Sequence, residues 1–355
     1  MLTHGSHQAP VAAFAVLAAG LAACDLPTEL PSWNTLWVVP GETMVLDVGQ
    51  LLPPEVAVTS SAEHFALQLP PLASSRTLGE MCPPCGILSG QVVPKPEFSA
   101  TTEASLDLPA ELVSADLSGG ELRITSTHTF DFDPLRPGDD ANGHLVVSVS
   151  ADGVELASDS IDGRSMAFPP GTTLRRTLEL SPSEVSGPLR MAVRLYSPAG
   201  DPTSIHADQG FSIAAEPANF LLSEARIRVL NQDVASEMET LDLEDVDSPV
   251  FDRVEEGAVR LEIDNPWDLE GDFTLQITAP GVSLSKALTV PPGEAEVRVP
   301  FTGDELRSIL GRSDVRLFMS GALMSPEMGA LLRPSDQIVS RATLEAAIEI
   351  GGDPE

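Results

Sequence analysis

The sequence predicts an all-β protein of tandem antiparallel β-sandwich (immunoglobulin-like) domains, set behind an N-terminal signal peptide and tether. Three observations carry that expectation. Short runs alternating between apolar and polar residues recur through most of the chain. The 27 Gly and 31 Pro fall largely between these runs, and short motifs of the first half return, in order, in the second. Alternation puts one face of a strand in a core and the other in water, and frequent Gly/Pro turns suit antiparallel neighbours. Hydrophobic residues make up 42% of the 355 residues, enough to bury a core in more than one domain.

The elements follow in chain order. Residues 11–21 form a short apolar run, below the roughly 20 residues needed to span a bilayer and of the length of a signal-peptide core. Leu21-Ala22-Ala23-Cys24 follows at once. This resembles the lipobox of bacterial lipoproteins. The resemblance implies cleavage before Cys24, diacylglycerol on its sulfur and acylation of the new N-terminus. The first ten residues depart from the usual pattern in carrying no Lys or Arg, only His4 and His7. Residues 1–23 are the expected signal peptide. Residues 24–100 are expected as a tether and N-terminal β extension, because Pro27, Pro31, Pro40, Pro53 and Pro54 favour extended backbone. Trp33 and Trp37 suit either a membrane interface or packing on the first domain.

Residues 44–48, 122–127, 145–150, 177–180, 225–229 and 273–277 alternate as strands. Those after residue 100 divide into one sandwich over 101–231 and a second over 232–355. Two short helices are expected, one over residues 304–310 before Gly311 and one starting at Ser325-Pro326-Glu327. The repeat rests on ordered matches. Leu106-Asp107-Leu108 matches Leu241-Asp242-Leu243, and Leu122-Arg123-Ile124 matches Val259-Arg260-Leu261. Pro169-Pro170-Gly171 matches Pro291-Pro292-Gly293, Val193-Arg194-Leu195-Tyr196 matches Val315-Arg316-Leu317-Phe318, and residues 223–227 match 340–344. The pairing of Tyr196 with Phe318 marks Tyr196 as core. In the second copy a strand runs into Asn265-Pro266, and residues 273–277, the Pro-Pro-Gly turn and a strand over 295–301 follow. This resembles the water-stress and late-embryogenesis type 2 sandwich, and the resemblance implies a seven-strand-like sandwich without catalytic residues. The first copy departs from it, with His128 and Phe130 where Asn-Pro would stand.

Charge narrows the function classes. With 20 Lys+Arg against 53 Asp+Glu, the formal net charge is −33. Nucleic acid is excluded as a partner, since binding it requires cations against phosphate, and a basic attachment to anionic lipid is disfavoured likewise. Cys82-Pro83-Pro84-Cys85 suits a loop-stapling disulfide in an oxidising compartment. The alternatives are a redox pair, which needs a helix start that Gly86-Ile87-Leu88 does not suggest, and a metal site with His64. Asp131, Asp133, Asp139, Asp140 and Asn142 offer oxygens for calcium, the one cofactor suggested; a solvated acidic loop is the alternative. The acidic run 237–247 reads as a strand with a charged face. No Gly-x-Ser-x-Gly elbow, His-Glu-x-x-His helix or phosphate loop occurs, so no enzyme is expected. The expectation is a protein of a bacterial cell envelope, held to the membrane through acylated Cys24 and facing the periplasm or exterior. Its role is non-catalytic binding, assembly or surface structure, with another envelope protein as partner. Carriage of a lipid or apolar ligand within a sandwich, and thiol–disulfide chemistry at Cys82 and Cys85, are the alternatives.

Overall fold

The computed structural model describes residues 33–136, 142–244 and 252–350. The N-terminal part carries β1 (Trp33–Asp47), β2 (Val56–Val58), β3 (Phe65–Leu67), β4 (Leu72–Thr77), the short helices α1 (Leu78–Met81) and α2 (Pro83–Ile87), β5 (Gln91–Lys95) and β6 (Phe98–Leu106). The middle runs through β7 (Leu112–His128), β8 (His144–Ala151), β9 (Val154–Asp162), β10 (Thr173–Leu180), β11 (Ser183–Val185), β12 (Leu189–Ser197), β13 (Gly200–Ile205) and β14 (Gly210–Ile227). The C-terminal part has β15 (Gln232–Ala235), β16 (Glu239–Leu241), β17 (Val254–Asn265), β18 (Glu270–Ala279), β19 (Val282–Val290) and β20 (Gly293–Thr302). Helix α3 (Gly303–Arg307), β21 (Val315–Met324), β22 (Ala330–Leu332) and β23 (Gln337–Ile350) complete it.

The protein is an all-β sandwich fold with antiparallel sheets. In the first sandwich one sheet contains β10-β7-β14, with β4 on the far side of β14, and the other is β6-β12-β8-β9. In the second, β20-β17-β23-β1 faces a sheet in which β19-β18-β21 is edged by β15 and β16. The strand order is therefore the same in both. Burial follows the alternation: Leu122, Ile124, Val147 and Met191 face the first core, and Leu261, Ile263, Leu275 and Leu317 face the second. Each such side chain contributes roughly 1.5–3 kcal/mol by leaving water.

One hydrogen-bonding device fixes the equivalence of the two copies. At the end of β17, Asn265 is buried; its Oδ1 accepts from Trp267 N (3.1 Å), and its Nδ2 donates to the carbonyls of Leu269 (2.8 Å) and Pro291 (3.0 Å). At the end of β7, His128 does the same work. Its Nδ1 accepts from Phe130 N at 3.2 Å, so its Nε2 carries the proton shared with the Phe168 carbonyl at 2.8 Å. Trp267 and Phe130 are the large buried aromatics that follow in each copy. Gly171 and Gly293, at φ of 74° and 79°, turn the chain into β10 and β20, a conformation that favours glycine.

Strand pairing corrects several sequence matches. Val193 faces Val147 and Met319 faces Leu275, each counted from equivalent β8–β9 and β18–β19 hairpins, so Tyr196 corresponds to Ala322 rather than Phe318. Tyr196 is not core: it points outward, its hydroxyl on Glu97 and its ring 5.2 Å from His144. Ala215 and Ala342 are equivalent by their pairing with Ile124 and Leu261, which displaces the 223–227 match. The expected helix at Ser325-Pro326-Glu327 is a turn closed by Gly329 N on the Pro326 carbonyl.

The expected domain boundaries are also redrawn. Residues 33–47, expected to hold tether and then a strand from residue 44, form the single strand β1 and pair along β23 from Trp33–Ile350 to Asp47–Gln337. Met44 and Leu46 of β1 are buried in the second sandwich. The boundary expected near Asn231 is interleaved, since β22 pairs with the end of β14 and Gln50 exchanges two 2.9 Å hydrogen bonds with Ala235. The signal peptide and residues 24–32 lie outside the described residues.

Candidate functional site

The sequence-predicted residues occupy separate places at the end of the first sandwich remote from β22. Cys82 and Cys85 are disulfide-bonded, and both are fully buried. Contrary to expectation a helix does begin there: Cys82 Sγ caps α2 by accepting from Cys85 N at 3.3 Å. Burial denies an attacking thiolate access to either sulfur, which counts against exchange chemistry.

Asp139 and Asp140 lie outside the described residues, but Asp131 and Asp133 do not point to a shared ion. Asp133 satisfies backbone instead: its Oδ1 accepts from Leu135 N (2.8 Å) and Arg136 N (3.2 Å), and its Oδ2 from Phe168 N (2.8 Å). Asp131 faces His206 at 3.8 Å. Among the described residues no three His, Cys, Asp or Glu side chains converge as a metal site. Of the acidic run 237–247, Glu239–Leu241 forms β16, and residues 245–247 lie outside the described residues. Cys24 lies outside them too, and no described helix is long and apolar enough to cross a membrane.

A buried lysine, missed in the sequence, sits under the Asp133 turn. Lys95 is 3% exposed; its Nζ donates to Ser197 Oγ (3.0 Å) and lies over the Phe132 ring at 5.3 Å. Burial lowers its pKa to about 8, with the nearby Asp133 charge pulling the other way. The unfolded chain holds that proton up to about 10.5. Between these values the unfolded state binds more protons, so stability is expected to climb as pH rises from about 8 to 10.5. The climb should be of order 3 kcal/mol. Lys95→Met should flatten it in urea melts taken across that window, and a slope unchanged from wild type would contradict the assignment.

A surface cleft lies elsewhere, where the edge strands β9 and β10 of the two sheets of the first sandwich approach each other. The strands touch where Ser181 N donates to the Leu156 carbonyl at 3.0 Å and part beyond it. The cleft, about 980 Å³, is lined by Arg123, Arg175, Arg176, Asp159, Glu179 and Leu156, among others, and holds no histidine. Pairing of β10 with β7 builds this grouping: Arg175 lies opposite Thr125, Arg176 opposite Ile124 and Thr177 opposite Arg123. Arg176 points between the sheets. Its Nη2 meets Met166 Sδ at 3.4 Å and its Nε lies 3.4 Å from Asp159, yet that Nε is buried without a formed hydrogen bond. Arg123 has Glu121 at 3.7 Å, with 61% of its side chain exposed.

The second copy closes the same edge. By strand register Arg176 corresponds to Val297, which packs against the core, and Asp159 to Lys286. Lys286 is bonded to Glu305 at 2.7 Å and lies over Phe301 at 5.2 Å. That bond, with the Thr302 backbone, holds the Glu305 carboxyl below its ordinary range. Arg260 and Arg298 of this sheet are tied to Glu262, Glu296 and Glu345.

No family model matches the chain, and no curated protein matches it. Among solved structures, a candidate secreted protein from Parabacteroides distasonis is 10% identical, covering 88% of this chain and 99% of its own, at a TM-score of 0.33. The CBM22-1–CBM22-2 tandem domain of Xyn10C from Paenibacillus barcinonensis is 11% identical over 79% of this chain and 99% of that one, at 0.15. The major capsid protein of bacteriophage PM2 is 12% identical over 77% and 97%, at 0.13. These likenesses span the chain without superposing closely, so the fold class rests on the strand pairing described above.

Proposed function

We propose that this chain is a lipid-anchored protein of a bacterial cell envelope with a non-catalytic binding role. The observation that carries the reading is the placement of β1. Cys24 precedes Trp33 by nine residues, a length that reaches at most about 30 Å. Trp33 opens a strand of the second sandwich at the end away from β22. In this reading the second sandwich stands next to the membrane and the first is held beyond it. Trp33 and Leu36, 56% and 57% exposed, suit the interface beside such an anchor. The cleft supports recognition, because its lining groups three arginines and holds neither histidine nor cysteine. Its charge is poorly suited to carrying an apolar ligand.

Metabolic labelling with a fatty-acid probe tests the anchor. Label should enter the wild-type chain and be absent from Cys24→Ser. Equal labelling of the two would overturn the proposal.

A further inference from the structure

The geometry points to an anion-binding site at the β9–β10 edge of the first sandwich, taking a ligand that carries two or more carboxylate or phosphate groups. This deepens the binding reading above and rests on it only for the absence of turnover. Four observations converge on it. Arg123 and Arg175, on the outer face of the sheet, and Arg176, between the sheets, line one cleft of a chain with only 20 Lys+Arg and a net charge of −33. Only Asp159 and Glu179 oppose them in the lining. Guanidinium forks offer paired N–H donors matched to oxyanions, and several forks on one cleft suit a ligand with more than one such group.

The second observation is the internal comparison. Both sandwiches share strand order and register, so the second shows what the fold needs at this edge. It places Val297 where the first has Arg176. An arginine between sheets gives up hydration that a valine does not, and the fold itself does not require it. Outside, Arg175 and Thr125 correspond to Glu296 and Glu262, which with Asp264, Glu294 and Arg341 line a mainly acidic groove in the second copy. Charge is reversed at the Arg175 position, whereas Arg123 and Thr177 correspond to Arg260 and Arg298, which the second copy ties to its own glutamates.

Third, the Arg176 Nε faces Asp159 at 3.4 Å and its Nη2 meets Met166 Sδ at 3.4 Å, which leaves Nη1 without a partner among the described residues for an incoming acceptor. Fourth, at about 980 Å³ the cleft is of small-ligand size, and its lining has no aromatic platform for a neutral sugar. Carboxylate and phosphate share the recognising chemistry, and the test separates them.

Isothermal titration of the full chain in detergent would use trigalacturonate as the carboxylate probe, pyrophosphate as the phosphate probe and maltotriose as the neutral control. Saturable binding of at least one anion is expected, with Kd raised about tenfold or more in Arg175→Gln or Arg176→Met. Tighter binding of trigalacturonate would assign a polyuronate class, and tighter binding of pyrophosphate a phosphorylated one. The inference falls if neither anion binds saturably, if maltotriose binds as well, or if both variants keep wild-type affinity. Arg175 is exposed, so Arg175→Gln tests the site without disturbing the core. Hydrolysis of a bound probe would instead count against the non-catalytic reading and leave the site standing, while failed fatty-acid labelling bears only on the anchor.

Discussion

Replacing Asn265 with Ala is expected to destabilise the second sandwich by about 3–5 kcal/mol, because several buried groups lose their partners at once. The Trp267 N–H and the carbonyls of Leu269 and Pro291 all bond to this one side chain. Urea denaturation measures the loss, and a change below about 1 kcal/mol would show the bonds to be replaceable. The first copy supplies a second arm. His128→Asn should be tolerated far better than His128→Leu, because Asn already performs that task at the matching position. The swap should also remove an acid sensitivity. Burial holds the His128 imidazole below its ordinary pKa, against the pull of the Phe168 carbonyl and Asp133. A lowered folded pKa means that the unfolded chain takes up the proton first. The contribution of His128 is therefore full above about 6.5, the ordinary value, and is lost as pH falls below it.

Removing residues 33–47 should abolish cooperative folding of the second sandwich, whereas a chain starting at Trp33 should melt as the full chain does. The strand pairs with β23 along most of its length and buries Met44 and Leu46. Leu46→Ala alone should cost about 2–4 kcal/mol. Losing the whole strand exposes one side of β23 and opens that core, a loss comparable to the 5–15 kcal/mol that stabilises a typical domain. Differential scanning calorimetry separates the outcomes, and two unchanged transitions in the chain lacking residues 33–47 would refute the strand's structural role.

The sequence makes the sandwich class legible because alternation reports burial directly: Leu122 and Ile124, or Leu275 and Ile277, are inward wherever their strands pair. The first half of β1 reads as tether because Pro40 interrupts it, while residues 44–47 alternate as a strand. β1 is an edge strand with its register shifted just after Pro40, where a missing N–H leaves no ladder bond unmade. The repeat was legible as a pattern but not as a register. Tyr196 and Phe318 match by type, and only the pairing with β8 and β18 shows that they are not equivalent. The cleft was hidden for a related reason. Arg123 comes beside Arg175 and Arg176 only when β10 pairs with β7, although an Arg-Arg pair in so acidic a chain was a signal to follow. His128 taking the place of Asn265 was unreadable because chemically different side chains present the same acceptor and donor.

The pairing of Trp33 with Ile350 also bears on how the protein is made. β1 is synthesised before any other described strand, yet its partner β23 comes last. The second sandwich cannot close while the chain is still being delivered, and β1 must wait as an unpaired edge carrying exposed Leu36 and Val38. Such long-range closure is slow, and the waiting strand invites pairing with other chains. The interval between the arrival of β1 and that of β23 is thus the step at which a holding chaperone would matter most.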